Sequence, residues 1–176
     1  TTPEHIRGMH DLLMNGVRPP KKLMPAVYSA DGQKNCSEES DEEKTDFIQK
    51  LERGEKVFVV ELDPPFDADD TKLMDGATLL RDINVDMITL ADSPLARPRA
   101  DSIASASKMR YTRQMEAMPH ISCRDKNMIA HRAQLLGMQM NGLRHTLIVT
   151  GDPIARGDRE SIKSVFNFNS IKLMKY

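Results

Sequence analysis

The sequence predicts an α/β fold built from βα units on a parallel sheet. Three observations carry that expectation. Four apolar, strand-like runs recur about 30 residues apart, at 57–60, 85–90, 120–123 and 145–150. Helical patterns fill the spaces between them, the alternation that marks parallel βα units. Each run also ends in ionisable or hydrogen-bonding residues, and ligands of such folds bind at the carboxyl ends of the strands. Even spacing and short loops suit a closed barrel or a doubly wound sheet, and periodicity alone does not choose between them.

Taken in order, residues 1–18 read as one helix. Thr2-Pro3-Glu4 resembles an N-cap with proline at the first helical position, and Ile6, Met9, Leu12 and Leu13 recur at helical spacing. Pro19 and Pro20 end it. Residues 19–45 are polar and acidic, with no apolar period on which to build a core, and read as a solvated tether. From there the texture changes. Phe47 and Leu51 lie four apart, and Gly54 supplies a helix C-cap ahead of the first strand. Helices are expected over 69–81, 101–116 and 126–141, with a fifth starting near Ser161 or Asn169. The layout is therefore an upstream helix (1–18), a linker (19–45) and a βα domain (46–176).

At 176 residues, 39% hydrophobic and 29% charged, the composition is that of an ordinary globular chain. The length suits about one domain but falls short of the roughly 250 residues of a complete eight-fold barrel. With Thr1 first and Tyr176 inside an apolar run, both ends look cut, so half a barrel is expected. A net charge of −1 provides no field for nucleic acid or a membrane surface. No apolar run approaches the roughly 18 residues of a membrane span, nor does the N-terminus have a signal peptide's apolar stretch. Cys36 and Cys123 are isolated, without metal or disulfide spacing, so no metal site is expected and a reducing, cytoplasmic setting fits. With no Trp and 12 Met, the core should be aliphatic and sulfur-rich, and Met109, Met115, Met118, Met138 and Met140 read as packing residues.

The tips carry the chemistry. They read Val59-Val-Glu61-Leu-Asp63-Pro-Pro, Ile88-Thr89-Leu-Ala-Asp92-Ser-Pro, His120-Ile-Ser-Cys-Arg124-Asp125 and Val149-Thr150-Gly151-Asp152-Pro153. Asp92, Asp125 and Asp152 have two readings: site carboxylates, or caps of the helices that follow. Glu61 is a poor β-former and an unusual turn residue, which favours function. Burial against apolar neighbours would raise its pKa, suiting a general acid. His120 reads equally as a satisfied core residue or a site residue. Gly151 offers backbone without a Cβ, room for a flat ring or a phosphate. Arg97 and Arg99, flanking Pro98, could meet an anion or form a solvated loop. The absence of GxGxxG and Walker A patterns disfavours Rossmann and P-loop nucleotide sites.

These four motifs, in order and at βα spacing, resemble the N-terminal half of the methylenetetrahydrofolate reductase domain, in the subtype fused to a homocysteine S-methyltransferase. The resemblance implies a (β/α)8 TIM barrel of which about the first four βα units are present, holding FAD at the strand tips. It implies hydride transfer from NAD(P)H to FAD and on to 5,10-methylenetetrahydrofolate. It places the catalytic acid at Glu61, which would protonate a folate ring nitrogen and open the five-membered ring. It sets Thr89, His120, Thr150, Gly151 and Asp152 against the flavin, with Asp152 near isoalloxazine and pterin, tuning both. Thr1-Thr-Pro-Glu-His-Ile resembles the segment just after the methyltransferase's zinc-binding cysteines, so zinc would belong only to that missing upstream domain. Two features depart from the family pattern: Leu62-Asp63 replaces an aromatic-rich tip, and Thr150 stands where an arginine is usual. The expected partners are folate and nicotinamide, with homo-oligomers open. The alternative is a catalytically inactive or interaction-only half-barrel, since four strands would leave two unpaired sheet edges.

Overall fold

The structure is a computed structural model and describes residues 45–176. The helix expected over 1–18 and the tether up to residue 44 lie outside the described residues, as does Cys36.

The described chain begins with α1 (Asp46–Glu52). It ends as the sequence predicts: Gly54 takes a left-handed φ of +70°, its N–H bonds the Leu51 carbonyl, and the Glu55 N–H bonds that of Lys50. Lys50 reaches Asp86 at 2.6 Å, and Asp86 also accepts the Phe58 N–H. Thr45 and Phe47 meet His145 through a 2.8 Å hydrogen bond and an edge-on ring contact. These ties fasten α1 to the amino ends of the second and fourth strands, the stability end of such folds.

Strands β1 (Val59–Leu62), β2 (Met87–Leu90), β3 (Ala117–Ser122) and β4 (Leu147–Val149) form one parallel sheet in the order 1-2-3-4. Helices α2 (Thr71–Asp82), α3 (Ser102–Arg113) and α4 (Met128–Met140) follow the first three strands, and α5 (Ser170–Met174) follows the fourth. A doubly wound sheet reverses its order at a switch point. This one runs without reversal, as a partial β/α barrel does. Among the described residues, no helix is long and apolar enough to cross a membrane.

The strand boundaries shift from expectation, with β2 and β4 each starting two residues late, and two of the shifts bear on the site. The first strand starts two residues late, because the Phe58 carbonyl already takes the Asp86 and Met87 N–H groups and ladder pairing begins at Val59 with Met87. Glu61 consequently sits inside the strand. The third starts three residues early, at Ala117, and runs through Pro119, whose missing N–H the ladder tolerates; the Pro119 carbonyl is taken by the Thr146 hydroxyl.

Side chains alternate across the sheet, giving it two different faces. Leu62, Ile88, Leu90, Ala117, Ile121, Cys123 and Ile148 point to the helices and join Met74, Ile103, Met109, Met138 and Leu173 in one core. Full burial of each such residue contributes about 1.5–3 kcal/mol. Met109, Met115 and Met138 pack as expected, but Met118 is half-buried on the other face and Met140 is 83% exposed. That other face holds Glu61, Thr89 and Met118 in register, then His120 beside Leu147. Val59 and Leu147 there are each 43% exposed.

Candidate functional site

At the carboxyl end of the open face lies a cavity of about 280 Å³, walled by Glu61, Asp92, His120, Arg124, Gly151 and Asp152. All four tips thus converge on one place. A larger hollow of about 490 Å³ lies at the first tip alone, lined by Asp63, Phe66, Lys72 and Arg99.

Glu61 projects from β1 with its side chain 60% exposed, so the burial against apolar neighbours expected of a raised-pKa acid is not present. What it has instead is a neighbour: its Oε2 stands 3.7 Å from His120 Nε2. His120 is 7% exposed, and that nitrogen has no hydrogen-bond partner. Burial pulls its pKa below the ordinary histidine value, against the opposing pull of Glu61, Asp92 and Asp63. Burial thus favours the neutral ring, in which Nε2 donates or accepts according to tautomer. The strand is anchored through the His120 carbonyl, which accepts Ser102 Oγ at 2.8 Å, while ring Nε2 is left without a partner.

The three aspartates do not cap the helices that follow. Asp101, Asn127 and Asn169 do, each accepting the N–H three residues on. Each directly precedes its apolar helical run, a signal the sequence offered. Asp92 instead accepts the Ser122 N–H and the Lys126 ammonium, both at 2.9 Å, joining the tips of β2 and β3. Asp125 holds Arg124 through two bonds of 2.8 and 2.7 Å. Asp152 accepts the Leu95 N–H at 2.7 Å, joining the tips of β4 and β2.

Gly151 is required, though for a different reason from ligand approach. Its φ is +97°, and a Cβ there would collide with Ser122 Oγ and stand 2.9 Å from Arg124 Cβ. The close approach is made by the protein itself. Thr89 is buried on the cavity's face, in register with Glu61. Thr150 is not brought to the cavity: alternation turns it away, and its hydroxyl bonds the N–H and Oγ of Ser170 at the start of α5. Arg99 is tied to the β1–α2 loop by the Pro64 carbonyl and Asp63, under the Phe66 ring, while Arg97 is exposed.

Over the cavity runs a turn with left-handed φ at Ser93 (+49°), Leu95 (+56°) and Ala96 (+57°). Non-glycine residues there cost about 1–3 kcal/mol each and persist where surroundings hold them, commonly at functional sites. Among the described residues, no cluster of three or more His, Cys, Asp or Glu could hold a metal. Cys123 is a buried free thiol on the helix face, its pKa raised by burial.

Residues 46–176, nearly the whole described chain, match the family model for methylenetetrahydrofolate reductase. The chain belongs to the methylenetetrahydrofolate reductase family. Membership makes this an oxidoreductase domain of folate one-carbon metabolism, and the four-stranded sheet a part of that family's β/α barrel. No curated protein matches the chain. Within the reductase domain, the strand-tip motifs single out Glu61, His120, Gly151 and Asp152, which line the cavity, and leave Asp92 between site and cap. Arg124 and Lys126 carry no such signal, because their ties cross between tips and leave no local pattern.

Proposed function

We propose that this domain is the FAD-bearing first half of a reductase barrel that reduces 5,10-methylenetetrahydrofolate to 5-methyltetrahydrofolate with NAD(P)H. One observation carries the reading beyond family membership. The Glu61 carboxyl group and a buried histidine nitrogen without a partner stand 3.7 Å apart on the uncovered face of the sheet.

The residues present fit a flavin ring. His120 Nε2 is a buried polar atom awaiting a partner, and Val59, Val149 and Leu147 give the face apolar ground on which a flat ring can lie. At about 280 Å³ the cavity lies near the lower bound of small-molecule sites, roughly 300–1,000 Å³, so it takes a ring and not a whole dinucleotide. When bound, the flavin relays hydride from nicotinamide to folate. The chain's own residues do the rest. His120, through Nε2, and Thr89 would help hold the flavin, and the Asp152 carboxylate would tune flavin and folate from the cavity wall. Glu61 delivers a proton to the folate ring nitrogen, opening the five-membered ring; bound ligands covering this face would remove water from its carboxyl.

Two further parts of the reading rest on sequence. Thr1–Ile6 supports an upstream homocysteine S-methyltransferase, with zinc confined to that domain, and the two isolated cysteines support a cytoplasmic setting. A second reading concerns the 176-residue chain by itself. Strands β1 and β4 each have one neighbour among the described strands, and open edges favour self-association over turnover. The test is spectroscopic: the full-length protein should be yellow, bleach with reduced nicotinamide and regain colour with methylenetetrahydrofolate. Full-length protein that binds no flavin would overturn the reading. For the isolated chain, a monomer with bound FAD and turnover would overturn the second.

A further inference from the structure

We infer that Arg124 is a positioning residue of this site: its guanidinium clamps the tips of β2 and β4 together and so holds Asp152 at the wall of the cavity that Glu61 also lines. The inference rests on the reading of that cavity as the flavin and folate site.

Beyond the ladder, backbone hydrogen bonds join the tips and their loops at few points, from Cys123 N–H to the Val149 carbonyl, Ala100 N–H to the Pro65 carbonyl and Val165 N–H to the Arg124 carbonyl. None of these ties the tip of β2 to that of β4. Arg124 lies two residues past the end of β3, and its side chain is only 3% exposed. A buried cation needs a partner, and Asp125 supplies one through a fork of two bonds, from Nε and Nη2. The rest of the guanidinium reaches sideways in both directions. Nη2 donates to the Ser93 carbonyl at 3.2 Å, and Nη1 to the Asp152 carbonyl at 3.4 Å. One planar group therefore touches three successive tips, which a single ammonium cannot do.

The left-handed turn after β2 gives independent support. It is gripped at two points: Arg124 takes the Ser93 carbonyl, and Asp152 Oδ2 takes the Leu95 N–H. Gly151 completes the arrangement, because a Cβ there would press on Arg124 Cβ. Glycine makes room for the arginine, the arginine holds the aspartate's backbone, and the aspartate's side chain holds the turn. Asp152 is thereby fixed at both its main chain and its side chain. Arg124 is also the cation among the residues that wall the cavity, where Glu61, Asp92 and Asp152 supply three carboxylates.

The test uses full-length protein carrying Arg124→Lys, which keeps the charge and loses the fork. A misplaced catalytic group costs rate more than binding, so turnover per bound flavin should fall by up to about 100-fold with KM for folate unchanged. Asp125→Asn, which frees the guanidinium from its carboxylate, should lower turnover in the same way but less. It decides the question alone if Arg124→Lys does not fold. Amide exchange at Leu95 should quicken in both variants while Ile121 stays protected. Wild-type turnover per bound flavin in a folded variant overturns the inference, even if its stability has dropped. Wild-type protein without flavin overturns the reading of the site instead, and Leu95 exchange then still decides whether Arg124 is the clamp.

Discussion

The two faces of the sheet are built from alternate residues of the same four strands, yet they share almost no chemistry. On the helix side Ile88, Leu90 and Cys123 are fully buried and Ile121 nearly so, each in the apolar core. On the open side, Thr89, His120 and Ser122 stand within one residue of these, with Glu61 in register beside Thr89 and Val59 and Leu147 each 43% exposed. The period of two lets one short strand serve both purposes: the inward set holds the fold, and the outward set is free to carry groups that a core would reject. The histidines make the contrast sharpest. His131, on α4, is wholly buried with neither ring nitrogen partnered and lies near Phe168. His120 is buried with one such nitrogen, but that nitrogen faces a carboxylate across a cavity.

Substitutions that separate the faces should show the difference, and the largest effect is expected at Glu61. Glu61→Gln should cut turnover by about 10²–10⁴-fold in steady-state assay, as loss of a general acid does, while changing the unfolding free energy from urea titration by no more than about 0.5 kcal/mol. An equal loss of stability would erase the contrast. Next comes Ile121→Ala, two residues before Cys123 on the helix side. It should destabilise by about 2–5 kcal/mol in urea titration and leave turnover per folded molecule unchanged. Gly151→Ala lies between the two: with φ at +97° and Arg124 Cβ 2.9 Å from the new methyl, a loss of about 1–3 kcal/mol should accompany loss of flavin.

A smaller effect concerns pH. His120, His131 and His145 all have pKa values pushed below the ordinary value, each chiefly by burial. The unfolded chain therefore binds protons that the folded chain refuses. The stability so contributed is complete above about pH 6.5, the unfolded value, and is lost as pH falls through the lower folded values. Urea midpoints should decline from pH 7.5 to 5.5, ahead of the loss expected from carboxylates such as Asp86, whose pKa is lowered by Lys50 and the Phe58 N–H. His131→Leu should flatten that decline and leave activity intact, because an unsatisfied buried ring is exchanged for an apolar one. If His131→Leu abolished activity, the two faces would not be functionally separate.

Much of this was legible in the sequence because it is local. The βα alternation, the glycine C-cap at Gly54 and the polar strand tips each depend on neighbours a few residues away. Strand ends were less legible, since the start of β1 depends on where Phe58 meets Asp86 and that of β3 on tolerance of Pro119. The site divided in the same way. Glu61, His120, Gly151 and Asp152 could be picked out as residue types at strand tips, but Thr150, one residue from Gly151, turns to Ser170. The exposure of Glu61 was hidden because burial belongs to the assembled face, and the Arg124 clamp because its partners lie about 30 residues away on either side.

The claim that the open face is the catalytic face is tested most directly by half-reactions of full-length Glu61→Gln under anaerobic conditions. Its bound flavin should bleach with reduced nicotinamide at the wild-type rate and then stay bleached when methylenetetrahydrofolate is added. Recovery of colour at the wild-type rate would contradict the account.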